Sequence, residues 1–137
     1  MITTIEAALR YVLINDASVA ALIVARVQPA PAPAELDYPF VNYTVHDERE
    51  QTHQGGETAL TRTHFTLDCW ATTHDAANSL ANAVRDALRC FAGTVDGYVI
   101  RYCRLLSRRA LDEPIVTGDD ELAYVQRLTC FVDHFRA

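Results

Sequence analysis

The sequence predicts an α+β fold: two helices packed on one face of a four-stranded antiparallel sheet, in the order α-β-β-α-β-β with long hairpin tips. Three observations lead there. Apolar residues recur at three- and four-residue spacing in two segments, one near the N-terminus and one beginning at His74. Four other segments alternate apolar with polar side chains or concentrate β-branched and aromatic residues, and they fall into two successive pairs. The chain has 137 residues, half of them hydrophobic, which supplies one core and predicts a single domain over residues 1–137.

The first helix follows from Thr3 and Glu6, whose spacing matches a capping box, and from Ile5, Ala8, Leu9, Val12 and Leu13, which line one face. Asn15 and Asp16 break the stripe, and Asp16 or Ser18 can cap a second short turn through Val19, Leu22 and Ile23. Pro29, Pro31 and Pro33 alternate with alanine, remove amide donors and predict a stiff extended strap. The first strand runs over Phe40–His46, with Val41, Tyr43 and Val45 on one face and Asn42, Thr44 and His46 on the other. A polar tip over 47–58 containing Gly55-Gly56 connects it to a second strand over Thr63–Ala71, where Phe65, Leu67, Cys69 and Ala71 share a face.

Thr72 or Thr73 can cap the second helix, predicted over His74–Phe91 from the stripe Ala77, Leu80, Ala81, Val84, Ala87, Leu88 and Phe91, with Gly93 as terminator. The second hairpin comprises Tyr98–Leu106, a tip over Asp112–Glu121 with Pro114 and Gly118, and a strand over Leu122–Phe135.

Charge narrows the function classes. The chain carries 12 basic and 18 acidic residues, a net of -6, and contains no lysine. Schiff-base chemistry and a lysine-dependent phosphate loop are thereby excluded, and a net negative chain repels nucleic acid and anionic membrane. No basic n-region precedes an apolar segment, and the longest apolar run is Ala20–Ala25, so a soluble chain in a reducing cytoplasm is expected. Nine of the 18 acidic residues lie in the two tips: Asp47, Glu48, Glu50 and Glu57 in one, and Asp112, Glu113, Asp119, Asp120 and Glu121 in the other. The paired carboxylates Asp112-Glu113 and Asp119-Asp120-Glu121 sit in a hairpin tip and are read as lacking apolar residues to raise a pKa, so solvated charge is expected there in place of acid-base chemistry.

No constellation for catalysis or metal binding emerges, and no cofactor is expected. His64 and Cys69 point to opposite faces of their strand, and a set of His46, His64 and His53 would draw its third ligand from a glycine-containing loop. The three serines, Ser18, Ser79 and Ser107, sit in no nucleophile elbow; Cys69 and Cys130 alternate with apolar neighbours in strands and Cys90 falls in a helix next to Phe91, as buried thiols do. Arg101, Arg104, Arg108 and Arg109 cluster in and after the third strand. Arg101 and Arg104 are three apart and are expected on opposite faces, which favours pairing with carboxylates inside the fold or across a subunit boundary over a flat nucleic-acid platform. With Asp47, Glu48, Arg49 and Glu50, these arginines are the candidate interface residues.

The ordered motifs resemble a known family. Val24, Arg26 and Pro31, then Tyr38-Pro39-Phe40-Val41, then Thr66-Leu67-Asp68-Cys69-Trp70-Ala71, then Ala76 through Leu88, are together similar to the tail-completion, or tail-terminator, proteins of long-tailed bacteriophages and prophages. The resemblance spans nearly the whole chain, and none of its motifs is catalytic. It implies a structural virion protein and not an enzyme: a ring, usually of six copies, that stops growth of the tail tube and joins it to the head-closure complex at the neck. The implied partners are other copies of the chain, the tail-tube protein and the head-closure or connector protein, with DNA passing through unbound and no membrane involved. The implied location is the virion, after assembly in the bacterial cytoplasm. Asp112, Glu113, Asp119, Asp120 and Glu121 are then the candidate lumen or partner-facing tip, where acidic charge would repel passing phosphates within about 8 Å at physiological salt.

Two other readings fit the same elements. A ferredoxin-like ligand-binding protein or enzyme would use an apolar pocket lined by His64, Asp68 and Trp70, which share a strand face. A different neck or head-closure subunit of the same virion is the other.

Overall fold

Local capping sets the helices. In the computed structural model, Thr4 supplies the first N-cap, its hydroxyl accepting from the Ala7 amide at 3.1 Å, and α1 runs over Ile5–Ile14. The cap is thus one residue later than the Thr3–Glu6 spacing predicts, and Thr3 lies outside the described residues, which are 4–24, 26–29, 38–50, 60–89, 91–110, 115–116 and 122–136. Asp16 caps α2 (Ala17–Ile23) by accepting from the Ser18 and Val19 amides. Thr73 caps α3 (His74–Leu88), which ends a turn earlier than the apolar stripe suggests because Arg89 leaves helical geometry.

The strands are β1 (Val27–Pro29), β2 (Phe40–Glu50), β3 (Thr61–Ala71), β4 (Gly93–Val95), β5 (Tyr98–Ala110), β6 (Ile115–Val116) and β7 (Leu122–Arg136). Six of them form one mixed sheet in the order β1-β2-β3-β7-β5-β4, and β6 pairs with β7 off that path. The two long antiparallel pairs, β2 with β3 and β5 with β7, join through a central β3–β7 ladder that runs from Thr61↔His134 to Ala71↔Tyr124.

This corrects the predicted fold class. Three helices and seven strands replace two and four among the described residues, and the sheet is not purely antiparallel, because β1 runs parallel to β2 with Val27 opposite Val41. The start of the proline-rich connector is extended, as expected, but pairs with a neighbour: Pro29 stands at the exposed end of a short edge strand, where a missing amide donor is tolerated. β4 arises from Asp96-Gly97, which turn with φ of 43° and 89° and fold Gly93–Val95 back on Tyr98–Ile100. Positive φ at both turn positions matches the twist of a tight hairpin, and Asp-Gly is its usual sequence. The strap over 30–37 and the tip residues 51–59 lie outside the described residues.

The core is a cluster of apolar side chains between the three helices and one face of the sheet. Leu13, Val19, Ile23, Leu80, Val84 and Leu88 from the helices meet Val41, Phe65, Leu67, Cys69, Cys103, Leu128 and Cys130 from the strands. Burying each such side chain is worth about 1.5–3 kcal/mol.

Candidate interaction surface

The sheet face turned away from this core is built by alternation. In β3, Phe65, Leu67 and Cys69 enter the core, so Arg62, His64, Thr66, Asp68 and Trp70 stand on the other side. Cross-strand register then assembles that outer face in rows: Phe40, Trp70 and Val125; Asn42, Asp68, Arg127 and Arg109; Thr44, Thr66, Thr129 and Ser107; Asp47, His64, Phe131 and Arg104; Arg49, Arg62, Asp133 and Tyr102.

Two rows hold forked ion pairs. Arg62 donates to both carboxylate oxygens of Asp133 at 2.8 and 3.0 Å, and Arg127 does the same to Asp68 at 2.8 and 3.1 Å. Such bidentate pairs fix orientation as well as charge. Each raises the pKa of its arginine chiefly through the hydrogen bonds to the partner carboxylate. The Arg62 guanidinium also lies 4.1 Å from the centre of the Phe131 ring, which is how an outward-facing phenylalanine is left only 7% exposed. At one end, Trp70 stacks on Phe40 at 5.6 Å and its indole N–H donates to Asn42 at 3.0 Å.

The residues singled out from sequence separate into distinct roles. Asp47 contacts both Arg49 (3.2 Å) and His64 (2.9 Å). Glu48 accepts from the Thr63 hydroxyl at 3.4 Å, and Glu50 is exposed at the end of β2. Arg108 turns into the structure: it donates to the side chains of Asn78 (2.7 Å), Asn82 and Gln126 (3.3 Å), tying β5 to α3 and β7. Arg101, Arg104 and Arg109 are exposed. Bulges at Ile100/Tyr102 and Leu105/Ser107 break the simple alternation of β5, so counting positions does not assign its faces: Arg101 is the extra residue of the first bulge, whereas Arg104 sits opposite Phe131 on the outer face. Asp112, Glu113, Asp119, Asp120 and Glu121 lie outside the described residues, as do His53, Glu57 and Cys90.

His64, Asp68 and Trp70 share the outer face but each engages a separate neighbour. Between α1 and the sheet, the space lined by Ile5, Leu9, Leu13, Tyr43 and Phe65 amounts to about 10 Å³, the lower limit for a single water. Among the described residues no group of three or more His, Cys, Asp or Glu side chains could hold a metal, and no helix is long and apolar enough to cross a membrane. Burial pushes the Cys69 and Cys130 thiols well above their ordinary pKa, which keeps them protonated and poorly nucleophilic.

Arg26, Tyr38-Pro39-Phe40-Val41 and Thr66–Ala71, three parts of the family resemblance, meet in this geometry. Phe40 pairs with Trp70, Val41 with Cys69 and Asn42 with Asp68, while Arg26 donates to the carbonyl of Pro39 at 2.9 Å and its own carbonyl accepts from the Val41 amide. They form one structural corner where α2 hands over to the sheet. The profile of the family described as Tail completion protein gp17 matches residues 7–117.

The chain belongs to that family.

A tail completion protein is a structural component of a phage-type virion tail. A chain from the structure titled "Virion of native gene transfer agent (GTA) particle" is similar in fold, with a TM-score of 0.71 and 19% identity over 96% of this chain and 94% of that one. No curated protein matches the sequence. This tail completion protein therefore couples a buried apolar core to an ordered, charged sheet face.

Proposed function

We propose that this tail completion protein forms a closed ring, of six copies, that caps the finished tail tube and joins it to the head-closure complex at the neck of a phage or prophage particle. The family match over residues 7–117 carries this reading. The geometry supports a structural role over a catalytic one: four of the outer-face charges, Arg62, Asp133, Asp68 and Arg127, are committed to two forked pairs across strands. In the ring, copies of the chain contact one another through unlike surfaces, as closure by rotation requires. The acidic tip residues Asp112, Glu113, Asp119, Asp120 and Glu121 face the lumen or the adjoining partner, and DNA passes without specific binding. The particle is assembled in the bacterial cytoplasm.

Electron microscopy of particles made without the protein tests this. Tubes of uncontrolled length and heads lacking tails are expected; tubes of normal length joined to heads would overturn the proposal. Neutralising the five tip carboxylates tests the lumen assignment separately, with slowed or incomplete DNA ejection expected and unchanged ejection from normally assembled particles counting against it.

A further inference from the structure

Among the described residues the sheet has two open edge stretches, at matching heights on opposite sides. β1 pairs with β2 only at Val41, Asn42 and Tyr43, so among the described residues no strand lies over 44–50 on the side of β2 away from β3. β4 covers β5 only at Tyr98, Val99 and Ile100, so among the described residues β5 is likewise open from Arg101 onward on the side away from β7. A depression of about 460 Å³ bordered by Thr4, Glu6, Pro29 and residues 43–45 of β2 lies at the start of the first notch. The rows set their level: Thr44 lies in the row of Ser107, Asp47 in that of Arg104 and Arg49 in that of Tyr102. Within one chain β3 and β7 separate the two notches, so they cannot meet.

Their charges are complementary. The β2 notch carries Asp47, Glu48 and Glu50 around Arg49, and the β5 notch carries Arg101 and Arg104 with no acidic residue between 101 and 107. Unpaired edges normally invite indiscriminate pairing, and charges and bulges restrain it. Here each notch has a bulge, at His46 in β2 and at Arg101 and Leu106 in β5. Arginine against arginine disfavours pairing of β5 with β5, while β2 against β5 is attractive. Direction agrees as well: successive antiparallel pairings from β2 through β3 and β7 leave β5 running opposite to β2, so a neighbour related by a small rotation presents its β5 antiparallel to this β2.

We infer that the occupant of each notch is a second copy of this chain, residues 44–50 of one copy adding as a strand beside residues 101–107 of the next to extend the sheet across the subunit boundary. This deepens the ring reading and rests on it. The contact is head-to-tail, leaves one notch free at each end of an open chain and disappears only on closure. Backbone hydrogen bonds supply the pairing, and the acidic and basic side chains choose the partner edge.

Charge reversal tests it in the full-length protein. Asp47→Arg with Glu50→Arg makes both notches basic, and Arg101→Glu with Arg104→Glu makes both acidic. Each variant alone is expected to need roughly tenfold or more higher concentration for half-assembly, as followed by mass photometry, while an equimolar mixture of the two regains wild-type assembly in rings of even copy number. If each variant assembles as the wild type does, the edge inference falls and the ring stands; if wild-type protein is never a closed ring, in solution or on purified tail tubes, the ring reading falls. Hydrogen exchange on assembled wild-type protein, needing no substitution, supplies an independent readout. Protection gained at alternate amides within 44–50 and 101–107 supports strand addition, and amides that exchange as fast as in the monomer overturn it.

Discussion

Arg108 stands in the sequence as one of four clustered arginines, yet its neighbours Arg101, Arg104 and Arg109 are exposed while it is turned into amide acceptors on α3 and β7. The difference comes from the bulge at Leu105/Ser107, which sequence periodicity does not reveal. Replacing Arg108 by leucine strands the side-chain acceptors of Asn78, Asn82 and Gln126, and the expected loss is about 1–3 kcal/mol in urea unfolding. Glutamate at Arg109 is expected to change stability by less than about 0.5 kcal/mol, as exposed substitutions do. His134 gives a pH signature. It is 6% exposed, its Nε2 lies 2.8 Å from the Thr63 hydroxyl, and burial lowers its pKa below the ordinary 6.5. The unfolded chain then takes up a proton near pH 6.5 that the folded chain resists, so this contribution destabilises the fold as pH falls through 6.5 toward the folded pKa. Urea midpoints at about pH 7.5 and about pH 5.5 are expected to show that loss, and His134→Gln to reduce it.

At the scale of elements, the sequence makes legible what local chemistry dictates. The α3 stripe places Ala77, Leu80, Ala81, Val84 and Leu88 in the core, and alternation in β3 places Phe65, Leu67, Cys69 and Ala71 there. Asp16 caps α2 as its side chain allows. The illegible part depends on partners far along the chain: three residues at Val27–Pro29 become a strand only because β2 offers an edge, and parallel pairing leaves no turn signature. The Asp96-Gly97 turn has a readable signature of its own, but β4 is only three residues long and begins at Gly93, which reads equally well as a helix terminator. The candidate surface is half legible: the outward residues of β3 follow from alternation, but their forked pairs with β7 require a register between residues 59 or more positions apart. Leu80, wholly buried, is expected to cost about 2–5 kcal/mol on replacement by alanine. Asp16→Ala is expected to cost about 1 kcal/mol. Thermal melts of the two variants separate core burial from capping.

For the whole molecule, the central ladder decides the kinetics. Pairing β3 with β7 joins Phe65 to Cys130 and Thr61 to His134, so much of the sheet forms only after a long loop closes. Folding on the millisecond-to-second scale is expected in stopped-flow refolding, slower than for a helical bundle of similar length. The single tryptophan has a use in that measurement. Trp70 is held by the Phe40 ring and the Asn42 amide where β2, β3 and β7 meet, on the sheet face opposite the helical core. Its emission is thus a natural beacon for sheet closure, while circular dichroism near about 222 nm tracks helix content. Superimposable traces from the two signals identify one cooperative unit; helix signal arriving ahead of the indole identifies a stage in which the helices stand before their sheet has zipped.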